Sequence, residues 1–272
     1  MPNASDLTLS GYSDNCSMLL KGPFGFGKTL AAASMAIDGP VWLAYWDKKE
    51  PIELVTFFKK HCPDALKNIT WDMYGAHNAN EYLIKLMDLV KHNPYYGIIN
   101  DSVTMMTSGA VNWSMGFRTA TGKKDPLNAK SPQLIPDFDE YKVETSLVTQ
   151  ALDICKSLKC NVIWTAHPIT SLDMSGGGST GNPMKVSKVK KIVSYGNKVG
   201  EIVPGNFTEI YHFSIENQWD SKLGRSNVKR TVNTVAVGDD FAKTALDLPS
   251  EFDITDKLFW TEWKRYLNGG VI

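Results

Sequence analysis

Short apolar runs of strand length alternate along this chain with longer stretches in which apolar residues return every third or fourth position. Residues 17–20, 41–45, 69–74, 96–100 and 162–166 read as strands, those at 41–45 and 162–166 as buried ones. Between them the spacing predicts helices. One covers 28–37; a second starts at Pro51 and carries Leu54, Val55, Phe57 and Phe58. A third is capped by Asn80, presents Leu83, Leu86, Met87 and Val90 on one face, and stops at Asn93-Pro94. A fourth covers 137–159, with Val143, Leu147, Ile154 and Leu158 as its core stripe, whereas 102–136 shows little periodicity. Strands alternating with helices predict a mostly parallel central sheet covered by helices on both faces.

The last third has a different pattern. Residues 175–183, Ser-Gly-Gly-Gly-Ser-Thr-Gly-Asn-Pro, read as a flexible loop without apolar anchors. Runs at 209–215 and 229–237 predict later strands added antiparallel, and 255–267 predicts a short C-terminal helix with Phe259, Trp260, Trp263, Tyr266 and Leu267, closed by Gly269-Gly270. The organisation that follows is an extension at 1–14, an α/β domain at 15–250, and an aromatic helix and tail at 251–272.

Composition narrows the function classes. With 272 residues and 43% hydrophobic content, one large domain is favoured over two. Lys+Arg and Asp+Glu both number 29, so no global charge draws a polyanion and any such contact must come from a local patch. Cys16, Cys62, Cys155 and Cys160 form no C-x-x-C pair, which predicts buried thiols in a reducing compartment and no metal site made of them. No apolar run approaches membrane length and residues 1–6 lack a leader pattern, which predicts an intracellular, cytoplasmic chain with no membrane partner.

The candidate chemistry lies just after the first strand. Gly22-Pro23-Phe24-Gly25-Phe26-Gly27-Lys28-Thr29 is a complete G-x-x-x-x-G-K-[ST] phosphate-binding loop, and Leu30 opens the helix that follows it. Its glycines let the backbone wind tightly enough to turn N–H groups toward one phosphate. Lys28 is expected to reach the β/γ-phosphates of ATP and Thr29 to place its hydroxyl on Mg²⁺, with the helix N-terminus adding favourable charge. Such a loop needs a carboxylate at the tip of a neighbouring strand, and Asp101, ending the Tyr-Gly-Ile-Ile-Asn run, is that candidate for the metal. Asp47 and Glu50 follow the 41–45 strand at the same edge, and either could orient an attacking water. His167 ends the 162–166 strand and is a candidate γ-phosphate sensor.

These residues, in this order, resemble the RecA-like ATPases, and most closely a phage branch of single-strand annealing or recombination ATPases. The likeness rests on the loop at 22–29, Ile-Asn-Asp-Ser-Val-Thr at 99–104, Trp-Thr-Ala-His at 164–167, Ile-Val-Pro-Gly-Asn-Phe at 202–207 and Ala-Lys-Thr-Ala-Leu-Asp-Leu-Pro at 242–249. It implies a RecA-like P-loop core and an ATP- and Mg²⁺-dependent, phage-encoded enzyme in a bacterial host. It also implies a homo-oligomer, ring or filament, acting on single-stranded DNA beside a single-strand-binding or other recombination protein. Relatives carry Ala-Lys-x-Arg where this chain has Ala242-Lys243-Thr244-Ala245, so Lys243 is the candidate to act on a neighbour's γ-phosphate, with Arg225 and Arg230 as further candidates. By the same resemblance, DNA would lie on segments 107–136 and 170–191. The first carries Trp113, Phe117, Arg118, Lys123, Lys124 and Lys130, and the second Lys185, Lys188, Lys190 and Lys191; aromatics and cations of this kind suit stacking and phosphate pairing. Two other readings remain open: a helicase-like translocating ring, and a slow nucleotide-gated module that binds a protein through its aromatic C-terminal helix.

Overall fold

The computed structural model describes residues 15–47, 49–120, 136, 138–175, 185–192, 194, 197–220, 225–236 and 241–269, with backbone only for 117–120, 169–175, 185–191, 197, 218–220 and 225–227. Strands β1 (Ser17–Lys21), β2 (Val41–Tyr45), β3 (Ile69–Met73), β4 (Gly97–Asp101) and β5 (Asn161–Ala166) run parallel in the order β1-β5-β4-β2-β3. A separate antiparallel hairpin follows, β6 (Pro168–Ser175) with β7 (Lys185–Ile192). The main sheet then grows past β1 by β8 (Glu209–Asp220), β9 (Arg225–Asn233) and β10 (Glu251–Asp253).

β8 departs from the expected antiparallel addition: it lies parallel to β1, and only β9 and β10 reverse direction. β1 pairs with residues 209–212 of β8 alone, so the remainder of β8 continues with β9 as a two-stranded arm beyond the sheet's carboxyl edge.

Side chains that alternate along each central strand feed two cores. On one face Met18, Leu20, Leu43, Ile99 and Ile163 meet helices α1 (Lys28–Ala33, continued by a 3-10 turn at Ser34–Ile37) and α2 (Ile52–His61), with the short α3 (Pro63–Leu66) nearby. On the other, Leu19, Trp42, Ile98, Val162 and Trp164 meet α4 (Ala79–Lys91), α5 (Val103–Ala120), α6 (Phe138–Ser157) and α7 (Asn197–Gly205). Burial on both faces explains why these strands read as unbroken apolar runs.

Three helices also differ from the sequence expectation. Helix α5 occupies the first half of the segment that showed no periodicity. Val103, Met106 and Ala110 do recur at helical spacing, but Gly109, Gly116 and five Ser or Thr residues dilute the pattern. Helix α4 buries Ala79, Tyr82, Leu86 and Leu89, leaving Met87 and Val90 nearly half exposed. Tyr82 turns the helix inward because its hydroxyl donates to Asn100 Oδ1 at 2.5 Å, satisfying two buried polar groups together. In α6 the stripe is Leu147, Val148, Ala151, Leu152 and Cys155, while Val143 and Ile154 are only half-buried.

The last helix, α8 (Phe259–Leu267), turns its apolar face inward. Phe259, Trp260, Trp263 and Leu267 are buried in the α1–α2 core, Trp263 Nε1 donates to the Tyr211 hydroxyl at 2.9 Å, and Trp260 Nε1 donates to Asp38 Oδ2 at 2.6 Å. Truncating Trp263 to Ala would cost about 3–5 kcal/mol. Three of the helix's four aromatic side chains are thus taken up by its own packing, and Tyr266 is the one left partly exposed. Among the described residues no helix is long and apolar enough to cross a membrane.

Candidate functional site

Parallel strands end at the same edge, so Lys21, Asp101 and Ala166 bring the loops after β1, β4 and β5 together. Helix α1 leaves β1 toward one face and α5 leaves β4 toward the other, which opens a crevice between them. The crevice holds a cleft of about 320 Å³.

The loop between β1 and α1 forms one wall. Gly25 and Gly27 adopt φ 77° and 83°, a left-handed region that costs other residues about 1–2 kcal/mol. Gly22 is required for another reason: a Cβ there would lie 2.7 Å from the Phe213 carbonyl oxygen on β8. Gly27 caps α1 without a side-chain hydrogen bond, leaving the helix's first N–H groups without an internal partner.

Lys28 is 4% exposed, and its Nζ donates to the carbonyls of Gly22 and Pro23, both at 2.8 Å. It also lies 3.2 Å from His167 Nδ1, a contact in which the ammonium donates and the neutral imidazole accepts. Burial lowers the Lys28 pKa to about 8, partly opposed by the Asp101 charge. Burial and the neighbouring Lys28 charge lower His167 to about 4, keeping the ring neutral at physiological pH. The His167 backbone N–H donates to Thr104 Oγ1 at 3.1 Å, and Phe24, 69% exposed at the loop's crest, stacks on the ring at 3.6 Å between centroids.

Asp101 closes the opposite wall. Thr29 Oγ1 donates to its Oδ2 at 2.6 Å, and Thr165 Oγ1 on β5 donates to its Oδ1. Burial raises the Asp101 pKa, opposed by these two hydroxyls and by Lys28. Both oxygens are thus held, and one hydroxyl comes from the glycine loop itself.

Asp47 and Glu50 separate here. Asp47 lines the cleft while Glu50 stays outside it, and Glu53, in the first turn of α2, joins the lining. The Tyr45 phenol hydrogen-bonds Glu53 and its pKa is driven up, first by burial and then by the surrounding carboxylates.

The remaining predicted residues divide into two groups. Leu30 borders the cleft, but Phe26 points its contacts into a second cavity on the α2 side, which Arg230 also lines. Lys243 is exposed and outside the cleft; its backbone bridges Ile210 of β8, while Thr244 Oγ1 donates to buried Glu209 at 2.5 Å. Residues 107–120 belong to helix α5 and not to a loop, and Trp113 packs against the core there. Phe117 and Arg118 end that helix and Arg225 begins β9, with side chains outside the description. Lys123, Lys124 and Lys130 lie outside the described residues, as do 176–183 of the expected glycine-rich loop. Lys185, Lys188, Lys190 and Lys191 fall on β7, where the backbone alone is described.

Sequence reading missed Thr165, Tyr45, Glu53 and Thr104. A polar residue inside the buried Val-Ile-Trp-Thr-Ala run was the available signal for Thr165, because β4–β5 register sets it beside Asp101. Glu53 carried none, since acidic residues in a helix's first turn are ordinary.

Among the described residues no group of three or more His, Cys, Asp or Glu could cage a metal. A hydroxyl and a carboxylate 2.6 Å apart do fit Mg²⁺, which keeps several waters and takes most other ligands from phosphate. Compared with known protein families and with curated protein sequences, the chain matches none.

Proposed function

We propose that this protein binds and hydrolyses Mg²⁺-chelated ATP in the cleft between its glycine loop and Asp101. The observation that carries the reading is the 2.6 Å hydrogen bond from Thr29 to Asp101 with buried Lys28 beside it. Thr29 and Asp101 would hold the metal, which supplies charge neutralisation to the β- and γ-oxygens. Lys28 exchanges its loop carbonyls for phosphate oxygens. His167, neutral and already in contact with Lys28, meets the terminal phosphate, and Asp47 orients the attacking water from the β2 side.

The resemblance to RecA-like recombination ATPases extends the proposal to single-stranded DNA and to a homo-oligomer. The path of the chain supports it. Hairpin β6–β7, with Lys185, Lys188, Lys190 and Lys191 on its second strand, begins at Pro168, immediately after His167. Lys243, exposed and away from its own cleft, suits a role on a neighbour. The protein-interaction reading loses most of its candidate surface, since Phe259, Trp260 and Trp263 of α8 are buried and Tyr266 is only partly exposed.

ATP turnover measured with and without single-stranded DNA, alongside molecular mass in solution, tests the reading. Turnover that DNA stimulates, from an assembly larger than 30.2 kDa, supports it. Turnover indifferent to DNA, from a monomer, removes the recombination half, and absent turnover removes the enzyme. Replacing Lys188, Lys190 and Lys191 with Ala should flatten the salt dependence of DNA binding, its slope falling by about one unit for each phosphate no longer neutralised.

A further inference from the structure

Asp47 sits in the connection from β2 to α2, where it is exposed together with Lys49 and Glu50. An exposed carboxylate on a connection ranges over many positions, whereas turning a water toward phosphorus needs one. A misplacement of about 1 Å can cost about 10²-fold in rate. The connection is tied down at each end. On the β2 side Trp46 is 3% exposed and its backbone N–H donates to the Asp101 carbonyl at 2.7 Å, while the Tyr45 carbonyl accepts from Tyr74 at 2.8 Å. On the α2 side Pro51 is buried, its carbonyl accepts from Leu54 at 3.0 Å, and the Ile52 N–H donates to Glu50 at 2.8 Å.

A side-chain hydrogen bond joins the two ends. Tyr45, 5% exposed, stands beside Asp101 in the sheet register, in the core that α1 and α2 cover. Its phenol donates to Glu53 in the first turn of α2. Burial and the carboxylates around it keep that phenol protonated, so it remains a donor. Residues 45 and 53 thus close the segment that carries Asp47, and a closed segment has fewer conformations to lose when a ligand arrives. Tyr45, Asp47 and Glu53 all line the cleft, which puts the closure at the site itself.

We infer that Tyr45 and Glu53 are positioning residues for the reaction, their hydrogen bond holding the β2–α2 connection so that Asp47 faces the terminal phosphate. This rests on the ATPase reading of the cleft and on the part given there to Asp47. Glu53 serves as a hydrogen-bond acceptor and not as a second base.

The test is steady-state ATP turnover by the whole chain, for the wild type, Tyr45→Phe, Glu53→Ala, Glu53→Gln, and Tyr45→Phe combined with Asp47→Asn. Tyr45→Phe keeps the ring and removes only the donor; Glu53 is exposed, so its variants keep the test standing if Tyr45→Phe folds poorly. Tyr45→Phe and Glu53→Ala should each lower kcat about tenfold with KM within about twofold. Glu53→Gln keeps a carbonyl oxygen for the phenol and should stay within about threefold of wild type. With Asp47→Asn already in place, Tyr45→Phe should change kcat by less than about twofold, because the carboxylate being positioned is gone. A merely structural role would lower both backgrounds alike. The full tenfold loss in the Asp47→Asn background, Glu53→Gln as impaired as Glu53→Ala, or Tyr45→Phe at the wild-type rate would each overturn the clamp and leave the ATPase reading intact. A wild type without turnover would overturn both.

Discussion

Asp101 and Asp47 are two carboxylates at the ends of neighbouring strands, β4 and β2, whose register pairs Tyr45 with Asp101. Asp101 is 6% exposed and both its oxygens accept hydroxyl hydrogens from Thr29 and Thr165. Asp47, two residues past Tyr45, is exposed on the rim with Glu53 close by in the lining. Under the proposed function, the difference separates two jobs. A metal that demands strict geometry is served by a carboxylate fixed before the ligand arrives. A water that must be turned toward phosphorus is served by one at the solvent boundary. Burial alone would penalise the Asp101 charge, and the two hydroxyls with Lys28 offset that cost.

The largest effect should come from Lys28→Ala, which removes the buried cation that opposes the Asp101 charge: ATP turnover is expected to fall about 10³-fold, measured by phosphate release. Next, Asp47→Asn should lower kcat about 10²-fold with little change in KM, while Glu50→Gln should stay within about twofold. Equal losses at the two positions would erase the distinction between the rim and the outside. Thr165→Val leaves one Asp101 oxygen without its donor, and chemical denaturation should register a loss of about 1–3 kcal/mol.

The smallest effect is in pH. The Lys28 pKa is lowered to about 8 in the ligand-free protein, and a bound triphosphate would raise it again. Lys28 is charged below that value, so affinity should be level there and fall by up to about tenfold per pH unit above it. Binding near pH 9 should then take up protons, readable as a dependence of binding heat on buffer ionisation. A flat profile from about pH 7 to about pH 9.5 would place the buried cation outside the binding event.

Much of this was legible in the chain. The glycine spacing located the loop, and the apolar runs before it, before Asp101 and before His167 placed all three at strand ends. What escaped depends on register and neighbours. Thr165 matters because β5 inserts between β1 and β4, a strand order that no local pattern encodes. The choice between Asp47 and Glu50 turns on where the chain goes between β2 and α2. Helix α5 escaped because small and hydroxylated residues weaken periodicity even where the helix is packed. The aromatic C-terminal helix misled for the opposite reason: a strong apolar stripe says that a face is covered, not what covers it.

The central claim is that Thr29 and Asp101 jointly hold a metal on a triphosphate, and its most direct test is ATP affinity in Mg²⁺ and in EDTA for the wild type and Asp101→Asn. The wild type should bind at least about tenfold more tightly with Mg²⁺ than without, and the variant should lose that advantage while keeping its metal-free affinity. The same Mg²⁺ advantage in both proteins, or no ATP binding by the wild type, would contradict the account.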